Sequence, residues 1–181
     1  METSDSQVHA LRVGDRAHRI VGTVLQQAPA PLRSMRTLAL TRAASDVFRQ
    51  YPVEHRTREA YFDAVTAAGV YLHRFRPPSS WCLVDTEMQV GGCRLDIVHR
   101  CDGIGVLIDE LKLGVGRHGE SLVQDQIKRY LAAGRELWDA EFIGVRLCAV
   151  HEPTQSRLYS NYVTKPQLVS ESDYKELLGA Q

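Results

Sequence analysis

The chain has no closely spaced cysteine pair, no long apolar run and no internal repeat, and each absence removes a class of protein. Its four cysteines, Cys82, Cys93, Cys101 and Cys148, include no C-x-x-C pair, so neither a zinc ribbon nor a tightly spaced iron–sulfur cluster is expected. They read as reduced residues, mostly buried on strands, as in a cytosolic chain. No apolar run approaches the roughly 18–20 residues that a membrane span needs, and residues 1–7 are polar, without the apolar core of a signal peptide. A cytoplasmic protein with no membrane partner is the expectation. A nucleotide-phosphate loop is missing as well. The Gly-rich stretch Gly114-Val115-Gly116-Arg117-His118-Gly119 does not end in Lys-Ser or Lys-Thr, which argues against nucleotide hydrolysis.

What is present is an ordinary globular composition, with 44% hydrophobic residues over 181 positions. That is long enough for one domain with a continuous core. Net charge is zero, but the charge is unevenly placed. Residues 9–76 hold eleven arginines, no lysine and five acids, whereas residues 85–152 hold twelve acids against eight Lys and Arg. A basic flank beside an acidic centre suits a site that attracts phosphates and holds a divalent cation, and it equally describes solvated helix surface.

The first half reads as helical. Ala17, Ile20, Val21, Val24 and Leu25 form the apolar stripe of an amphipathic helix over residues 15–27, stopped by Pro29 and Pro31. A second helix is expected over 32–50, and a third, capped by Thr57, runs toward Leu72. Pro77-Pro78 marks a change of regime. Strands follow at 80–90, 94–99 and 105–113, with turns at Gly91-Gly92 and Cys101-Asp102-Gly103. The third strand is the most apolar and therefore central. A long helix over 119–139, strands at 142–151 and 157–163, and a short closing helix within 170–179 complete the order. The sum is one α/β domain: a mixed sheet of four to five strands flanked by helices, with a helical N-terminal part over 14–76 and the sheet and long helix over 80–163.

Chemistry concentrates on two adjacent strands. In Val106-Leu107-Ile108-Asp109-Glu110-Leu111-Lys112 the side chains alternate, so Glu110 and Lys112 share a face and Asp109 takes the other. Two charges on one face of a buried strand are costly unless paired or used, and by themselves they fit a structural ion pair as well as a site. On the preceding strand Arg94, Asp96 and Val98 share a face. A hairpin then sets Asp96 beside Glu110, and two neighbouring carboxylates favour a divalent cation between them. Such a cation polarises a phosphate and acidifies a bound water, with Lys112 stabilising the developing charge or orienting the water.

Four motifs in order make the pattern specific. They are Gly14-Asp15-Arg16-Ala17-His18, then Gly92-Cys93-Arg94-Leu95-Asp96-Ile97-Val98, then Leu107-Ile108-Asp109-Glu110-Leu111-Lys112, then Gln126-Ile127-Lys128-Arg129-Tyr130. Together they resemble the G-x-x-x-H, D, E-x-K and Q-x-x-x-Y motifs of the RecB-like branch of the PD-(D/E)XK nucleases. The resemblance implies a restriction-endonuclease-like core and hydrolysis of phosphodiester bonds, most readily of DNA. It implies Mg²⁺ or Mn²⁺ held by His18, Asp96, Glu110 and the backbone carbonyl of Leu111. Asp96, Glu110 and Lys112 would act with Gln126 and Tyr130, which position substrate or the catalytic groups in this family. Gly14 and Gly22, four residues either side of His18, leave its ring uncrowded on that face.

Arg16, Arg117 and Arg129 are the expected substrate contacts, with Arg117 on the Gly-rich loop after Lys112; that loop is as readily a plain connector. The Arg-rich second and third helices are a DNA-binding surface or a dimer surface. Trp81 and Trp138 are expected in the core. The chain departs from the branch in two ways: it has no helicase segment and no clustered cysteines of the iron–sulfur members. Two other readings stay open. One is an inactive nucleic-acid-binding or scaffolding subunit on the same fold. The other is a nuclease active only in a larger defence or repair complex, or as a homo-oligomer.

Overall fold

The apolar stripe of the first helix is buried as its spacing requires: Ala17, Ile20, Val21, Val24 and Leu25 all lie in the core. The computed structural model describes residues 5–27, 35–77, 80–114, 120–160 and 167–168, and the chain divides into two compact units, Met1–Phe75 and Arg76–Gln181. The first unit holds α1 (Asp5–Gln27), α2 (Met35–Arg49) and α3 (Arg58–Arg74). Helix α1 starts ten residues before the expected 15–27, because the periodicity alone did not register its polar first turns. Thr57 caps α3 as expected, its side chain accepting from the Ala60 N–H at 3.2 Å. Small residues on α3 (Ala60, Ala64, Ala67 and Ala68) are buried with Tyr71 and Leu72, and His9 on α1 meets Asp63 on α3 at 3.1 Å.

The second unit is a mixed sheet with one long helix. Its strands are β1 (Cys82–Val90), β2 (Cys93–Cys101), β3 (Gly105–Lys112), β4 (Phe142–Ala149), β5 (Arg157–Ser160) and the two-residue β6 (Gln167–Leu168), which was not expected. They lie side by side in chain order. All neighbours are antiparallel except β3 and β4, which are parallel and joined by a crossover through α4 (Glu120–Trp138). The fold is therefore α/β with a helical N-terminal region, as the pattern of elements requires. The expected closing helix, with Ser170 as its cap, and residues 161–163 of the fifth strand lie outside the described residues, as does the loop carrying Arg117. Gly91 and Gly92 make the β1–β2 turn with φ of 49° and 82°, a backbone that other residues adopt at a cost.

Helix α4 buries Val123, Ile127, Tyr130 and Ala133 against Leu95, Val98, Val106, Ile108, Phe142, Val145 and Leu147 of the sheet. Trp81, Cys101, Leu107 and Leu158 form a second, smaller cluster. Trp81 is buried as expected, whereas Trp138 is only partly buried, packed against the core and stacked on Phe142. All four cysteines are free and on strands, but only Cys101 and Cys148 are buried; Cys82 is exposed. Its strand β1 lies at the edge of the sheet and is exposed or half-buried along its length.

Two predictions follow from this packing. Gly134 lies so close to Phe142 that an added Cβ would sit 2.3 Å from the ring. Gly134→Ala should therefore destabilise by about 1–3 kcal/mol through overpacking, although alanine gains about 1 kcal/mol of helix propensity elsewhere. A lowered denaturant midpoint is expected, and an unchanged or raised midpoint would refute the close contact. The second concerns His99, buried on β2 with its Nε2 3.7 Å from Asp109 and its pKa lowered to about 4, chiefly by burial. The folded state holds the neutral ring, so the contribution of His99 to stability is complete above its unfolded pKa of about 6.5 and is lost as pH falls toward 4. The loss should reach about 3 kcal/mol by pH 4. His99→Leu should flatten that part of the stability profile, and an identical pH slope in the variant would sink the assignment.

Candidate metal centre

The E-x-K triplet ends β3, where this strand and its parallel neighbour β4 present their C-terminal ends. In α/β sheets that is the edge at which ligands bind. Alternation along β3 separates its acids. Asp109 points to one face and takes the Arg146 guanidinium, with Nε 2.8 Å from Oδ1 and Nη2 on Oδ2. His99 stands beside the same carboxylate, and all three groups are buried. Asp109 is thereby committed to a structural ion pair, as its parity along the strand requires. Glu110 points to the other face, is fully buried, and is ion-paired with Lys112 Nζ.

Asp96 joins that pair through the backbone. The β2–β3 ladder runs from Cys101↔Gly105 to Ile97↔Asp109 and stops there. At the next step the Leu111 N–H donates to Asp96 Oδ2 at 3.0 Å, so a side chain continues the pairing that a backbone carbonyl would otherwise make. A buried carboxylate accepting an N–H is held in place. Strict alternation also lapses here: Leu95 and Val98, three positions apart, both contribute to the α4-facing core.

Gln126 and Tyr130, one turn apart on α4, close the site from that helix. Gln126 Nε2 donates to the Tyr130 hydroxyl at 3.0 Å, and the hydroxyl in turn donates to the Arg94 carbonyl. Burial raises the Tyr130 pKa strongly, and the negative charges of Asp96 and Glu110 raise it further. Tyr130 therefore remains a neutral phenol at any working pH and serves as a hydrogen-bonding strut, never as a base.

One neighbour escaped the sequence reading. Glu87 sits on β1 between the pairs Thr86↔Ile97 and Met88↔Leu95, opposite Asp96, and the two carboxylates approach within 4.8 Å. Its φ of 59° is left-handed, a conformation that costs a non-glycine residue about 1–2 kcal/mol. Glu87 is ion-paired with Arg94, its carboxylate 2.8 Å from Nε. The signal for it was available: counting back from Asp96 across a two-residue Gly91-Gly92 turn lands on Glu87.

The remaining expected residues are placed differently. Leu111 is buried and tied by its N–H as above. His18 is half-buried on α1, in the other unit. Arg129 is exposed on α4, and Arg117 lies outside the described residues. Arg16 corrects its expectation as a substrate contact, for it is 1% exposed. Its guanidinium lies over the Tyr51 ring at 4.6 Å and the Phe48 ring at 4.9 Å, and it donates to the His55 carbonyl. Helical spacing set Arg16 on the buried stripe beside Val13, Ala17 and Ile20, where a long cation serves packing.

Comparison with protein-family models, with curated proteins and with solved structures gives no match. The described geometry alone sets the next test. Tyr130→Phe removes the donor to the Arg94 carbonyl and should cost about 1–3 kcal/mol, the range for leaving a buried polar group unsatisfied. The measurement is the denaturant midpoint. A change of only a few tenths of a kcal/mol would show that the hydroxyl does not hold β2.

Proposed function

We propose that this chain is a metal-dependent nuclease of the RecB-like PD-(D/E)XK type, hydrolysing phosphodiester bonds of DNA in the cytoplasm. One observation carries the reading: the Asp96 carboxylate, pinned by the Leu111 N–H, lies on β2 beside the buried Glu110–Lys112 pair, with Tyr130 close enough to feel both acids. The order of motifs supports it. A set of hard oxygen donors, two carboxylates and the Leu111 carbonyl, fits Mg²⁺ or Mn²⁺ and not a thiophilic metal. When bound, the ion supplies polarisation of the phosphate and a more acidic water.

The chain's own groups do the rest. Lys112, already beside Glu110, stabilises the negative charge that builds on the phosphate as the water oxygen bonds to phosphorus and the bridging ester oxygen departs with a proton. Asp96 and Glu110 fix the donor geometry. Gln126 and Tyr130 hold the strand that carries Asp96. His18 enters from the motif resemblance alone.

A second reading has its own observation. The Lys112 charge is answered directly by Glu110, as in a structural ion pair, which suits an inactive binding or scaffolding protein on the same fold. The two readings separate in one experiment. Purified protein with Mn²⁺ or Mg²⁺ should cut DNA, and EDTA should stop it. Asp96→Asn and Lys112→Ala should each lower the rate by at least about 100-fold, the scale of losing one transition-state donor. Asp96→Asn keeps an oxygen for the Leu111 N–H, so its melting temperature should stay near that of the parent. Undiminished cutting by Asp96→Asn would end the nuclease reading at this site. No cutting together with no heat of binding at millimolar Mn²⁺ would favour the scaffold.

A further inference from the structure

Among the described residues, Arg94 is a cation beside the candidate centre that the mechanism above does not use. Its backbone and its side chain are held separately. The carbonyl accepts from Tyr130, whose hydroxyl is itself held by Gln126. The guanidinium is ion-paired through Nε with Glu87 at 2.8 Å, and Glu87 in turn lies within 4.8 Å of the Asp96 carboxylate. Half of the Arg94 side chain is exposed, 53%, and the described residues offer Nη1 and Nη2 no partner. An arginine tethered at Nε and open at its two terminal nitrogens presents a fork of donors in a fixed plane, the geometry that matches two oxygens of a phosphate.

The surrounding charge explains why the tether is needed. Without it, a long cation next to Asp96 and Glu110 would fold onto those carboxylates and neutralise them. Glu87 holds Nε on the β1 side, two positions along β2 from Asp96. Glu87 stands opposite Asp96 in the β1–β2 register, with a left-handed backbone.

We propose that Arg94 is a phosphate-binding residue of the substrate site, gripping the nucleic-acid backbone next to the bond at Asp96 and Glu110, and that Glu87 is its positioning residue. The assignment rests on the nucleic-acid reading above, but not on catalysis. Binding of phosphate by Arg94 requires no cleavage.

The test is equilibrium binding of the full chain to a fluorescein-labelled DNA duplex in Ca²⁺, followed by anisotropy over a salt series. Arg94→Ala should weaken binding about 10-fold and reduce the slope of log K against log salt by about 1, as for the loss of one phosphate contact. Arg94→Lys keeps the charge without the fork and should weaken binding about 3-fold. Glu87→Ala should weaken binding about 3-fold when Arg94 is present and not at all when Arg94 is alanine, since its effect runs through Arg94. A merely structural role would leave the salt slope unmoved, and an unchanged slope with Arg94→Ala overturns the assignment, as does a parent chain that binds no duplex. Tighter binding by Glu87→Ala in both backgrounds would make Glu87 a simple repulsive charge and overturn its positioning role. A chain that binds through Arg94 but never cuts would sustain this inference while ending the nuclease reading.

Discussion

The hydrogen bond from the Leu111 N–H to the Asp96 carboxylate is the joint on which the second unit's candidate chemistry depends. It lies where the β2–β3 ladder ends, so it decides both how far the strands stay paired and where the first carboxylate stands. A backbone carbonyl in the same place would continue the sheet but bring no charge. A side-chain oxygen ends the ladder and leaves a second oxygen of Asp96 beside the end of β3. The carboxylate gains a donor that fixes its position, and β3 keeps its N–H satisfied inside a buried sheet.

From that joint outward, the sheet has to bury charge on both faces and solves each face differently. On one, Asp109, Arg146 and His99 form a closed group: a two-point guanidinium–carboxylate contact with a neutral imidazole beside it. Nothing in that group is presented to a ligand. On the other, Glu110 is paired with Lys112, Asp96 accepts the Leu111 N–H, and Tyr130 meets a carbonyl and an amide. Buried pairs of this kind are poor stabilisers compared with apolar packing of equal volume. Two such arrangements back to back across one strand are therefore not explained by stability alone.

Much of this was readable from residue order. Period-two alternation assigned Glu110 and Lys112 to one face and Asp109 to the other, and the structure places them so. The 3.6-residue stripe of α1 and the Thr57 cap were equally local and equally readable. Other features were not, for distinct physical reasons. Arg16 carries a full charge, so its burial follows only from the two rings that cover it, and those come from Phe48 and Tyr51, more than thirty residues away. Glu87 could be reached by counting across the hairpin, but its left-handed backbone and its pairing with Arg94 could not. The early start of α1 and the two-residue β6 have too little apolar periodicity to mark them.

The Q-x-x-x-Y motif takes on a definite role in this arrangement. Spacing alone permits both side chains to face a substrate, but the hydroxyl of Tyr130 is spent on the Arg94 carbonyl and on Gln126. The helix thus grips β2 at a point two residues from Asp96, and α4 is itself anchored by Val123, Ile127 and Ala133 in the core. The crossover helix of the β3–α4–β4 unit therefore does two jobs: it buries one face of the sheet, and it locks the strand whose carboxylate terminates the ladder. Because a protein interior transmits small displacements with little give, a shift of α4 would move Arg94 and Asp96 together. The rigidity of the candidate centre is thus set by the packing of α4 as much as by the charged residues themselves.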